Sequence, residues 1–111
     1  MSVYEMLPVS PDAEADFAVT LEDDALAPLF GRGDTVMLKR STDLADGDIG
    51  LFYSRQGIEF RQFCQDSQGN IYLFCLNRER KADDLMIPAD AEKPVCYGKL
   101  LLDKPVPLPE D

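Results

Sequence analysis

Short apolar runs, each closed within a few residues by glycine, proline or aspartate, leave this chain no room for a long amphipathic helix. Phe17 to Glu22 alternates large apolar residues with small or polar ones, so Phe17, Val19 and Leu21 are expected inward on a half-buried strand. Thr35–Lys39, Ile49–Tyr53, Ile58–Cys64, Ile71–Leu76, Leu85–Pro88 and Val95–Leu102 continue the series. Between them lie the turn signals Gly31–Asp34, Asp46-Gly47-Asp48, Ser54–Gly57 and Asp66–Asn70. Ile71–Leu76 is apolar on both faces and is expected in the middle of a sheet, whereas Pro88 marks Leu85–Pro88 as an edge. Asn77–Asp84 is expected as a charged loop. The sum is about seven short strands at regular spacing, which predicts an all-β fold, a small barrel or sandwich.

At 111 residues the chain is one small domain with one core. Its organisation is expected to be a lead-in over 1–16, in which Pro8 and Pro11 argue against regular structure, a folded domain over 17–102 and a proline-rich tail over 103–111. The lead-in has the look of the end of a linker. Lys104 to Pro109 alternates proline and is expected to be polyproline-like. No apolar run is long enough to span a bilayer and no secretory leader is visible, so a cytoplasmic location is expected.

A formal charge of −10 sets up a field that repels phosphate backbones and anionic lipid. Direct nucleic-acid and membrane partners are therefore not expected for this segment, and no small-molecule substrate is evident. The chain has no histidine, which removes Ser-His-Asp and Cys-His catalysis and most transition-metal sites. Three cysteines, Cys64, Cys75 and Cys96, lie among apolar neighbours without metal-ligand spacing and are expected as buried free thiols. No metal or cofactor is expected.

The remaining candidates for chemistry are few. Asp23-Asp24 leaves a strand, so the two carboxylates point to opposite faces and do not naturally share a proton. Asp46 and Asp48 read as turn residues, Asn77–Lys81 as a solvated basic loop, and Arg32-Gly33-Asp34 as a turn rather than an adhesion tripeptide. Gly31-x-Gly33 is too short for a phosphate cradle.

The stretch Asp23-Asp24-Ala25-Leu26-Ala27-Pro28 nevertheless follows its strand in a distinctive way, and Gly33-Asp34-Thr35-Val36 opens the next one. Together with Asp46-Gly47-Asp48-Ile49-Gly50, Gly57 to Phe63, Gly69–Leu73, Leu76-Asn77 and Tyr97–Leu100, this order resembles the C-terminal domain of LexA and phage-repressor proteins. These are self-cleaving serine-lysine peptidases related to signal peptidase. The resemblance implies their small β fold and places their nucleophilic serine at Ala25 and their general-base lysine at Arg61. It also puts the glycine of the turn at Asp23 and its methionine at Leu26.

Those departures fall on the chemistry. Alanine offers no nucleophile, and arginine holds its proton too tightly to act as a base. A buried lysine can serve, because desolvation lowers its pKa. No Ala-Gly or Cys-Gly bond, the family's usual self-cleavage substrate, occurs between Met1 and Asp16. An engineered Ser→Ala change would account for Ala25 but not for Arg61, Asp23 or Leu26. The expectation is a catalytically inactive peptidase-fold domain without site residues for catalysis. It would act as a dimerisation or regulatory protein-binding module of a transcriptional or phage-type repressor. The family uses this domain to hold two DNA-binding domains together, and Leu100–Leu102 with the proline tail are the expected interface elements. The competing reading is a hydrolase with relocated chemistry, using Ser54 or Asp24.

Overall fold

In a computed structural model, residues 5–7, 15–41, 43–54 and 57–109 are described. They form eight strands: β1 Glu5–Leu7, β2 Phe17–Thr20, β3 Thr35–Lys39, β4 Ile49–Ser54, β5 Gly57–Gln65, β6 Ile71–Phe74, β7 Leu85–Ile87 and β8 Val95–Leu100. All pair antiparallel in one sheet of order β1-β2-β3-β8-β4-β5-β6-β7. The all-β expectation is met.

Period-two patterning explains most of these strands. In β3, Val36 and Leu38 are buried while Thr35, Met37 and Lys39 are exposed. Leu38 faces Phe17 of β2 on one side and Leu100 of β8 on the other, so one apolar row crosses three strands. Leu51 of β4, opposite Gly98 of β8 and Phe60 of β5, adds to the same core in a neighbouring row. The result is a core of Phe17, Val19, Leu21, Leu26, Val36, Leu38, Ile49, Leu51, Phe60 and Leu100. Residues one step out of phase point to the other face. There Phe52, Ile71 and Leu73 form a second cluster, with Phe63, Leu85 and Ile87 packed against it. At about 25 cal/mol per Å² of apolar surface, each fully buried side chain of this size contributes about 1.5–3 kcal/mol of hydrophobic driving force.

Close approach requires glycine at one crossing. A Cβ on Gly98 would stand 2.8 Å from the Phe17 ring and 3.1 Å from the Lys39 carbonyl oxygen. Gly98 therefore lets β8 lie flat against the strand pair β2–β3. The hairpin between β5 and β6 is tied by one carboxylate: Asp66 accepts from the Asn70 amide nitrogens of backbone and side chain, the Gln68 N–H and the Tyr72 hydroxyl.

Three local expectations are corrected. Glu5–Leu7, placed in the irregular lead-in, is a strand paired with Ala18–Thr20, because β2 offers it an edge. The charged segment after β6 is not an open loop: Arg78–Asp83 forms a 3-10 helix, capped by the Asn77 side chain accepting from the Glu79 N–H at 3.1 Å. Finally, β6 is not central. It is the last strand but one, covered on its outer side by β7 alone.

The proline tail docks. Gln62, 1% exposed, donates its side-chain amide to the carbonyls of Gly47 at 3.1 Å, Val106 at 2.9 Å and Pro107 at 3.2 Å. A polyproline segment offers carbonyls but few N–H groups, so a buried amide donor is the matching partner. Val106 packs against the main core. Gln62→Ala should leave three carbonyls without that donor and cost about 1–3 kcal/mol of unfolding free energy. Urea denaturation measures the loss.

Candidate functional site

The segment leaving β2 does not continue as a strand. Ala27 N–H bonds to the Asp24 carbonyl at 3.0 Å and the Leu29 and Phe30 N–H groups both bond to the Leu26 carbonyl, at 2.9 and 3.1 Å. These turn bonds hold Leu26 in the core, where it is fully buried. Ala25, 4% exposed, is thereby turned toward the sheet. Asp34 closes the corner, accepting from the Gly31 N–H at 2.8 Å.

Across from it, β5 supplies Arg61. Glu59 and Arg61 are two residues apart and so project from the same side of the strand. Arg61 is 6% exposed, and its Nη1 donates to the Phe60 carbonyl at 2.8 Å. Ala25 and Arg61 line one cavity of about 200 Å³, together with Glu59, Cys75, Arg80 and Asp83. The two positions singled out from the sequence therefore meet in one cleft.

The 3-10 helix forms the roof. Asn77 ties it to the corner: its N–H donates to the Ala25 carbonyl at 3.3 Å and its side-chain amide to the Asp24 carbonyl at 3.1 Å. Arg80 forms an ion pair with the Asp24 carboxylate. Arg78 grips Asp84 through two bonds, at 3.1 and 3.0 Å, and the Cys75 carbonyl at 2.9 Å, while Asp84 accepts the Cys75 N–H at 2.7 Å. This clamp sets where Cys75 enters the cavity. Asp23 points the other way, accepting the Ala25 N–H at 3.0 Å, so the adjacent aspartates do not act as a pair.

Burial pushes the Cys75 thiol up to about 11, against a partial pull downward from Arg61 and further upward contributions from Asp84 and Asp83. Burial is also the largest cause raising Cys64 and Cys96. The thiols are therefore protonated and weakly nucleophilic at neutral pH. Unfolded thiols ionise near 9.0 while Cys75 holds its proton to about 11, so the unfolded chain binds fewer protons in between. This stabilisation is complete below pH 9.0 and declines as pH rises toward 11, which urea midpoints measured across that window should record.

Of the alternative nucleophile positions, the Ser54 side chain lies outside the described residues. Asp24 is engaged by Arg80. Among the described residues no three potential metal ligands converge, and no helix is long and apolar enough to cross a membrane. Sequence reasoning missed Glu59, Cys75, Arg80 and Asp83 as cleft residues. The two-residue spacing of Glu59 and Arg61 on a strand was a usable signal for the first; the others depend on the 3-10 helix, which has no periodic signature.

With this geometry in view, comparison with known proteins adds one finding. The family described as Peptidase S24-like matches residues 3–99. No curated protein and no solved structure matches the chain.

Proposed function

The chain belongs to the Peptidase S24-like family, and on that premise we propose that it is a catalytically inactive member whose role is self-association, as the dimerisation module of a transcriptional or phage-type repressor. The observation that carries this reading is that Ala25 and Arg61, the positions of the family's serine and lysine by resemblance, share one cleft. Acyl transfer there needs an oxygen nucleophile and a base that takes its proton. The alanine methyl supplies neither, and a guanidinium does not give up its charge.

A third feature points the same way. The Ala25 N–H, adjacent to where an oxyanion would develop, is already donated to the Asp23 carboxylate. A donor so occupied stabilises no second anion, and the carboxylate charge opposes one. The corner, the 3-10 roof and the strands that position them surround these two positions, which supports a binding role for the scaffold. Met37 and Tyr97, exposed at 45% and 40%, supply apolar contact surface away from the cleft.

Sedimentation analysis from about 1 to 100 µM, a range that brackets moderate affinities, should show a monomer–dimer equilibrium. A monomer throughout overturns the self-association half of the proposal. A fluorophosphonate probe should leave the protein unlabelled; stoichiometric labelling of a serine overturns the other half and favours relocated hydrolase chemistry.

A further inference from the structure

The proline tail and the surface that holds it are separable parts. Strand β8 hands over to the tail at Leu101, whose N–H bonds to the Met37 carbonyl at 2.9 Å, and Leu102 still packs against the main core. The next fixed point is Val106, held by Gln62. Between them Asp103, Lys104 and Pro105, all exposed, connect strand to tail. No residue of 103–109 is fully buried. The tail is also open along one side, where Val106, Pro107 and Pro109 face Pro28, Leu29 and Leu76 across a groove of about 430 Å³.

The hold on the tail is specific and rests on few groups. A side-chain amide has two N–H groups, and Gln62 shares them among three carbonyls, two of which belong to the tail. A Cβ on Gly47 would stand 3.3 Å from the Val106 carbonyl oxygen, so glycine there leaves room for the tail to approach. Each of these contacts runs between tail and body. A tail of the same sequence from a second copy therefore makes them equally well. Exchange leaves the docking contacts unchanged, and the balance between closed and exchanged forms falls to the connector and to protein concentration.

The connector leans toward exchange. The chain bends at Asp103 and Lys104 to return the tail to its own body. Pro105 biases Lys104 toward the extended form, which carries the tail outward. A connector this short is also the kind that invites swapping. Residues 103–109 hold one aspartate and one lysine, so the exchanged segment is neutral within a chain of net charge −10. The repulsion between two such chains is screened beyond about 8 Å at physiological salt.

We propose that two copies of this chain associate by exchanging tails, each 106–109 segment lying against the Gln62 of the other copy. The inference rests on the self-association proposed above and names the segment that carries it.

Complementation tests it. Gln62→Ala spoils the dock and keeps the tail; Val106→Asp spoils the tail and keeps the dock. Each variant alone, shown to be folded by circular dichroism, should sediment as a monomer up to about 100 µM. An equimolar mixture should dimerise, because the intact tail of one meets the intact dock of the other. With one dock filled in place of two, its affinity should lie about tenfold or more below that of the unaltered protein. The unaltered protein gives a second readout that no substitution disturbs. In a mixture of ¹⁵N-labelled and ¹³C-labelled chains, isotope-filtered spectra should show Overhauser contacts from the Gln62 side-chain amide of one copy to Val106 and Pro107 of the other. A dimer without those contacts overturns the exchange and leaves self-association standing, as do variants that each dimerise like the unaltered protein or a mixture that stays monomeric. An unaltered protein that is monomeric throughout overturns both.

Discussion

Ala25→Ser combined with Arg61→Lys should convert a protein silent toward a fluorophosphonate probe into one that is labelled, at least about 100-fold faster than either single variant. The expected non-additivity is the informative part. Ala25→Ser alone places a hydroxyl in the cleft beside a guanidinium, which cannot take its proton. Arg61→Lys alone supplies a base without a nucleophile. Position 61 is buried at 6% exposure, so an amine introduced there is desolvated and its pKa falls toward the range in which it can accept a proton. Adding Asp23→Gly, which returns the Ala25 N–H to the cleft, should raise labelling by about another tenfold or more, the scale of one oxyanion donor. Mass spectrometry of the adduct identifies the labelled serine. A folded but unlabelled double variant would place the family's reaction elsewhere than between β5 and the corner after β2.

The second large effect is on stability. Phe60→Ala should lower the unfolding free energy by about 3–5 kcal/mol, a cost typical of an aromatic removed from a core that cannot collapse. Phe60 is fully buried opposite Leu51, and its own carbonyl accepts from Arg61. A domain of this size has about 5–15 kcal/mol in total, so the variant should be close to unfolding. Met37→Ala, at 45% exposure on the outward side of β3, should change it by less than about 0.5 kcal/mol. Paired denaturation curves decide it: similar losses at the two positions would mean that the face assignment of the sheet is wrong.

How far such features were legible in the sequence depends on whether they are local. Val36, Leu38 and their exposed neighbours announce a half-buried strand by alternation alone, and Asp-Gly signals placed the turns around Gly47. The pairing of Ala25 with Arg61 was legible through family resemblance, since nothing in their spacing brings them together. Glu5–Leu7 was missed because three residues beside prolines carry no pattern; their extended form is supplied by β2. The 3-10 helix was missed because Asn77 and the Arg78–Asp84 clamp hold it, and neither contact has a periodic trace. Gln62 would be assigned outward by its polarity. It is buried because the tail brings carbonyls to it from the far end of the chain. That match between a single donor and a donor-poor segment is a tertiary fact.

The place of β8 has a consequence for how the molecule comes into being. It lies between β3 and β4, and in the strand order it is what joins β1–β3 to β4–β7. Leu100 must find Leu38, and Gly98 must find Leu51, across most of the intervening sequence. Contacts so distant in sequence carry a loop-closure cost before they return anything, which slows folding. During synthesis, the two groups of strands can form while their shared face stays open to water. The core that buries Phe17, Leu38, Leu51 and Phe60 together is sealed only when β8 has been made. Until then the nascent protein presents two additional open sheet edges, at β3 and β4, and its dependence on chaperones should be greatest in the interval just before Val95–Leu100 becomes available to fill the gap.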